Sequence, residues 1–150
     1  MEGETIEELL QDCLYFTVKK MDRLLDKLAE ESFRSTGLSP TYGFMMVAVN
    51  EKNGITQKEL GELLHIAPST ITRFIEKLQY KNLVYSEHIG RMTHIFPTEQ
   101  GKAILGDIRK AWDELYDKYS AVLGEEHGEE LTASMYKAGD MLDEGMNRKS

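Results

Sequence analysis

From Ile6 to Leu28 the apolar residues recur in steps of three and four, at Ile6, Leu9, Leu10, Cys13, Phe16, Met21, Leu24, Leu25 and Leu28. That spacing predicts one long helix over residues 5–33 with a single apolar face. Thr5 and Glu8 make a capping-box pair at its start, and Gly37 suits the left-handed stop after it. Ser39-Pro40 then reads as N-cap and first helical residue. Tyr42 to Val49 is strongly apolar, so this second helix is predicted to lie deep, ending at Asn53-Gly54. Thr56 and Glu59 form another capping box ahead of Leu60, Leu63 and Leu64. After a turn at His65-Ile66, Pro68 stands where a missing N–H costs nothing. The helix it begins has Ile71, Phe74, Ile75 and Leu78 on its inner face. Ser69, Thr70, Thr72, Arg73, Glu76 and Lys77 lie on the outer one.

At Leu83 the period changes to two. Val84–His88 reads as a strand, Ile89–Met92 as a tip and Thr93–Phe96 as the returning strand. Gly90 can supply the positive φ of a tight hairpin. Pro97-Thr98-Glu99 opens a helix over 99–123 that carries Ile104, Leu105, Ile108, Trp112 and Leu115. Gly124 breaks it, and a last amphipathic helix covers 125–146, leaving 147–150 as a frayed tail. The predicted fold is mainly α with a small β-hairpin wing.

Composition narrows the function. With 150 residues, one domain over 1–150 is the expectation. An apolar share of 41% and a charged share of 29% are those of an ordinary globular protein. The opening Met1-Glu2-Gly3-Glu4 lacks the basic start of a signal peptide. No apolar run approaches a membrane span. A soluble cytoplasmic protein without membrane contact is therefore expected. One cysteine, Cys13, rules out an internal disulfide or a cysteine-based zinc cluster. His65, His88, His94 and His127 lack metal-ligand spacing. No phosphate loop or nucleophile–base pair is visible, so neither enzymatic activity, nor a metal, nor a cofactor is expected.

The net charge is −8, and its distribution matters more than its sum. Residues 1–54 carry ten acids and six bases, and residues 98–150 carry twelve and seven. Residues 55–97 carry four acids and five bases, the only third that phosphate does not repel. This stretch is also the helix, turn, helix and hairpin. Small hydroxyls let a helix approach base edges, and an arginine can bond guanine in a bidentate way. Arg91 at the hairpin tip is placed to reach the flanking backbone or minor groove. The DNA-facing set is thus Gln57, Ser69, Thr70, Thr72, Arg73, Lys77 and Arg91.

The ordered run ITQKELGELLHIAPSTITRFIEKL, then NLVY, then PTEQG resembles the MarR family of regulators. Ser69 to Arg73 match its S-x-x-T-R, Asn82-Leu83 its "GL", and Pro97 to Gly101 its "LT-x-x-G". The resemblance implies a winged helix-turn-helix over 39–97, flanked by dimerisation helices over 5–35 and 99–146. It also implies a homodimer on a pseudo-palindromic double-stranded DNA operator, acting as a repressor and released by a small aromatic or anionic effector. Phe16, Tyr42, Phe44, Met45 and Trp112 are the candidate effector contacts, and Cys13 is a candidate redox residue. Two departures stand out. Ile89 and Gly90 replace the first two residues of the family's wing Asp-Arg-Arg, leaving Arg91, and Pro97 replaces the Leu before Thr98. A looser wing and weaker DNA affinity are expected from them. The rival reading is a degenerate member that serves as a protein-interaction module without binding DNA.

Overall fold

The computed structural model describes residues 3–148. The acid-led start at Met1-Glu2 and the last two residues of the expected tail lie outside them. In chain order the elements are α1 (Ile6–Gln11), α2 (Leu14–Phe33), a 3-10 turn (Arg34–Thr36), α3 (Pro40–Glu51), β1 (Ile55–Thr56), α4 (Gln57–Leu64), α5 (Pro68–Tyr80), β2 (Val84–Ile89), β3 (Met92–Pro97), α6 (Glu99–Ala103), α7 (Leu105–Leu123) and α8 (Glu125–Arg148). No helix among the described residues is long and apolar enough to cross a membrane.

Local signals place most helix starts. Thr5 and Glu8 cap each other's backbone at α1, and Thr56 and Glu59 do the same at α4. Gly37 takes φ 74° after the 3-10 turn. Ser39 and Pro40 open α3, although the Ser39 side chain makes no capping bond.

Two long helices divide where uniform periodicity predicts continuity. The first is interrupted at Asp12-Cys13. Cys13 drops into an extended conformation (φ −97°, ψ 112°) and becomes the N-cap of α2, its Sγ accepting the Phe16 N–H at 3.5 Å. Cys13 is therefore a capping residue at a helix junction and not one link in a continuous apolar stripe. The second divides at Ile104, between α6 and α7. Side-chain spacing records which face is apolar and carries no trace of a one-residue change in backbone direction. At the other end α8 continues through Asn147 and Arg148, past the expected end at 146, and Asn147 Nδ2 donates to Asp143 Oδ1 at 3.2 Å.

The core lies where α3, α5, β3 and α7 meet. Phe33, Met45, Met46, Leu60, Ile71, Leu78, Ile95 and Ile108 are all nearly or wholly buried. The sheet has three strands in the order β1-β3-β2, all antiparallel. The third strand, β1, is an addition to the expected hairpin. It pairs Ile55 with Ile95 and Thr56 with His94, so the residue that caps α4 also anchors it to the wing.

The junction after the wing is tightly packed and laced by hydrogen bonds. Thr98 Oγ1 donates to the Asn82 carbonyl at 2.7 Å and accepts the Gly101 N–H at 3.0 Å. The Thr98 N–H bonds the Leu83 carbonyl at 3.1 Å. Asn50 Nδ2 reaches the carbonyls of both Met46, at 2.8 Å, and Gly101, at 3.1 Å. A Cβ on residue 101 would lie 2.0 Å from the Leu83 carbonyl oxygen. The threonine and glycine of the P-T-E-Q-G segment thereby acquire a physical reason.

Gly101→Ala is expected to destabilise the fold by about 1–3 kcal/mol through overpacking, read as a lowered urea midpoint; an unchanged midpoint would contradict the close approach. A second expectation concerns pH. A bond from the Lys52 ammonium, with bonds from Thr56, holds the Glu59 carboxyl below its ordinary value of 4.5. Its contribution to stability is complete above that value and fades as pH falls through the depressed one. Wild type should therefore lose stability relative to Glu59→Gln as pH drops below the ordinary value, and parallel profiles for the two proteins would refute the linkage.

Candidate nucleic-acid interface

Helix α5 is the exposed arm of the helix-turn-helix. Ile71, Ile75 and Leu78 are buried and Phe74 is half-buried, which fixes the rotation of the helix. Ser69, Thr72, Arg73, Glu76 and Lys77 are consequently exposed, with Thr70 half-buried. The turn before it bends at His65, whose φ of 55° is left-handed. A hydrogen bond from the Ile66 N–H to the Gly61 carbonyl (2.9 Å) closes this turn.

Two of the expected contact residues bind each other. Gln57 Nε2 donates to Thr72 Oγ1 at 2.6 Å, and Thr72 Oγ1 donates to the Pro68 carbonyl at 3.0 Å. The Thr72 proton is thus spent inside the protein, and the pair clamps the first residue of α4 to the second turn of α5. Ser69, Thr70, Arg73 and Lys77 are left as the outward set. Neither Arg73 nor Lys77 forms an ion pair among the described residues. Their neighbours are aromatic: the Arg73 guanidinium lies 6.0 Å from the Phe74 ring centre, and the Lys77 ammonium 5.4 Å from that of Tyr42.

The wing is held by contacts that the sequence does not announce. Gln79 Nε2 donates to Ser86 Oγ at 2.6 Å and ties the last turn of α5 to β2. His94 Nδ1 bonds the Gly54 carbonyl at 2.8 Å, joining β3 to the loop before β1. Thr93 Oγ1 and His88 Nδ1 meet across the strands at 3.0 Å. These bonds brace a hairpin that lacks the family's Asp–Arg pair. Gly90, at φ 66°, and Arg91 make the two-residue turn, and Arg91 is exposed. Between the turn of the helix-turn-helix and the wing runs a cleft of about 880 Å³, bounded by Gln57, His65, Pro68, Arg91 and, from α8, Asp143. A residue so distant in sequence gives no local sign that it will border this groove.

The residues expected to meet an effector do not form one lining. Phe44 packs on Trp112 with ring centres 4.6 Å apart and edge-on against Phe33 at 5.8 Å. Tyr42 instead faces Phe74 at 5.0 Å. Met45 is wholly buried in the core and Phe16 is half-buried on α2, while Trp112 is 43% exposed.

Comparison with known proteins agrees with this geometry. The model of the MarR family matches residues 38–89. Among curated relatives, the transcriptional regulator YybA of Bacillus subtilis is 24% identical, over 77% of this chain and 79% of its own. The transcriptional repressor MdtR of the same organism is 23% identical, over 79% of this chain and 80% of its own. The transcriptional repressor CouR has been solved on a 23-mer DNA duplex. It has a TM-score of 0.82 and 16% identity, covering 91% of this chain and 99% of that one. CouR bound to p-coumaroyl-CoA gives 0.81 and 16%, covering 92% and 98%. Helix α5, the braced wing and these likenesses agree: the chain is a winged-helix transcription regulator of MarR type, with the family's match centred on the helix-turn-helix and the first strand of the wing.

Proposed function

We propose that this regulator is a cytoplasmic repressor that binds a pseudo-palindromic operator as a homodimer and leaves it when a small effector binds. The observation that carries the reading is the outward face of α5, where Ser69, Thr70, Arg73 and Lys77 are displayed and neither cation is paired with a carboxylate among the described residues. In a major groove Arg73 bonds a base edge, the hydroxyls bond edges or phosphates, and Lys77 bonds phosphate. Arg91 reaches the flanking backbone. Gln57 and Thr72 set the angle of the reading helix through their shared bond, and Gln57 borders the cleft beside the wing.

The terminal helices support the dimer. Ile6, Leu14, Tyr15, Val122, Met141 and Met146 are all more than half exposed, an apolar display that one chain leaves uncovered. Pairing residues 5–35 and 99–146 of two copies covers it and leaves the 39–97 segments as two heads. A two-fold axis then requires half-sites about one helical turn apart. The names of MdtR and CouR, both repressors, support the sign of regulation, and CouR's complex with p-coumaroyl-CoA supports an aromatic or anionic effector. That effector meets the exposed edge of Trp112 and the Phe44 beneath it. Phe16, Tyr42 and Met45 are reached as the helices shift, Met45 only if the core opens. Release follows only if the effector prefers a head spacing that DNA does not fit.

Selection from a random duplex library at low and moderate salt tests the reading. Recovery of a palindrome is the expected result, and no enrichment at either salt would favour the protein-interaction module instead. Arg73→Ala should cost about 1–3 kcal/mol of specific binding and relax preference at one base position. Unchanged affinity and specificity would remove Arg73 from the groove. Arg91→Ala should weaken binding evenly across sequences and lower the salt slope by about one; a change confined to one base would contradict a backbone role.

A further inference from the structure

Four side chains of α3 and α5 form a continuous chain of contacts along the border of the outward face of α5. Tyr42 projects from the first turn of α3, and its ring lies 5.0 Å from that of Phe74 on α5. The Lys77 ammonium stands 5.4 Å from the Tyr42 ring centre, and the Arg73 guanidinium 6.0 Å from that of Phe74. Both rings are half-buried and both cations exposed. Arg73 and Lys77 are four residues apart, hence one above the other on the helix. Glu76 lies between them in sequence, yet neither cation is ion-paired among the described residues.

We propose that Tyr42 and Phe74 are positioning residues for DNA binding, an aromatic shelf that holds Lys77 toward the phosphate backbone and Arg73 toward the base edges without neutralising them. The proposal rests on the reading of α5 as the DNA-contacting helix. Its physical basis is the difference between two ways of holding a cation. A carboxylate orders a lysine and cancels its charge, whereas the face of a ring attracts the cation through its quadrupole and leaves the net charge intact. The difference matters in a chain of net charge −8, where the few central cations carry the attraction to phosphate. The shelf also joins the heads to the core, because Tyr42 belongs to α3 and Phe74 closes the inner face of α5. Tyr42 thereby acquires a role independent of any effector.

The test uses the full chain and a labelled mixed-sequence duplex of about two helical turns at low salt, since phosphate attraction does not depend on sequence. Residue 42 is varied as Tyr, Phe, Leu and a series of progressively fluorinated phenylalanines, which keep the ring's shape while draining the charge from its face. Each is made with Lys77 and with Lys77→Ala. Tyr42→Phe should bind as wild type. Tyr42→Leu and the most fluorinated ring should bind about two- to fivefold more weakly, the size of an exposed cation–π contact. Both losses should vanish when Lys77 is alanine, and thermal melting should confirm that the fluorinated proteins fold as wild type does. Equal losses in both backgrounds, or no loss along the fluorinated series, would overturn the shelf and leave Tyr42 as packing. If Lys77→Ala alone changes neither affinity nor salt slope, the shelf falls because Lys77 does not touch DNA. If the wild type binds no duplex at low salt, the DNA-contact reading itself fails.

Discussion

At the foot of the wing the Gly101 Cα lies so close to the Leu83 carbonyl that no side chain fits between them. Around that contact three separate parts of the chain are laced together. Thr98 reaches back to the Asn82 carbonyl, and Asn50 spans from α3 to α6. Asn82, at the end of the reading helix, takes a left-handed φ of 60°, a conformation that asparagine tolerates better than most residues. The end of α5, both ends of the hairpin and the start of α6 therefore share one junction. The relative directions of α5, the wing and the long connecting helix all follow from it, so a distortion there would be felt at every proposed DNA contact.

From this junction the electrostatics become intelligible. A protein with 26 acids and 18 bases repels phosphate as a whole. It presents attraction only where cations project beyond the acidic surface, and only if those cations stay unneutralised. Elsewhere several lysines are paired: Lys52 with Glu59, Lys102 with Glu99 and Lys118 with Glu31. On α5 the cations rest on rings instead. Lys52–Glu59 helps cap the support helix, Gln57–Thr72 sets the angle between the two helices, and Gln79–Ser86 ties the reading helix to the wing. Structural polar groups are thus largely satisfied among themselves, leaving the outward hydroxyls and cations for a partner.

The sequence by itself determined whatever depends on near neighbours. Capping boxes act over three residues, so Thr5–Glu8 and Thr56–Glu59 announced two helix starts. The apolar spacing of Ile71, Phe74, Ile75 and Leu78 fixed which face of α5 turns inward, and with it the outward placement of Arg73 and Lys77. Gly90 and the alternating pattern marked the hairpin. Tertiary structure decided what depends on groups distant along the chain. Strand β1 is two residues long, too short for any periodicity, and exists because β3 offers a free edge. The long helices divide at Cys13 and Ile104 because backbone direction there answers to packing and capping, which apolar spacing does not encode. Thr72 spends its proton on Pro68 while accepting from Gln57, and Tyr42 faces Phe74 and Lys77 instead of Trp112. The physical reason is range: capping and amphipathic spacing operate within a turn or two of helix, whereas the partner of a buried ring or a shared hydroxyl is chosen only when distant segments are brought together.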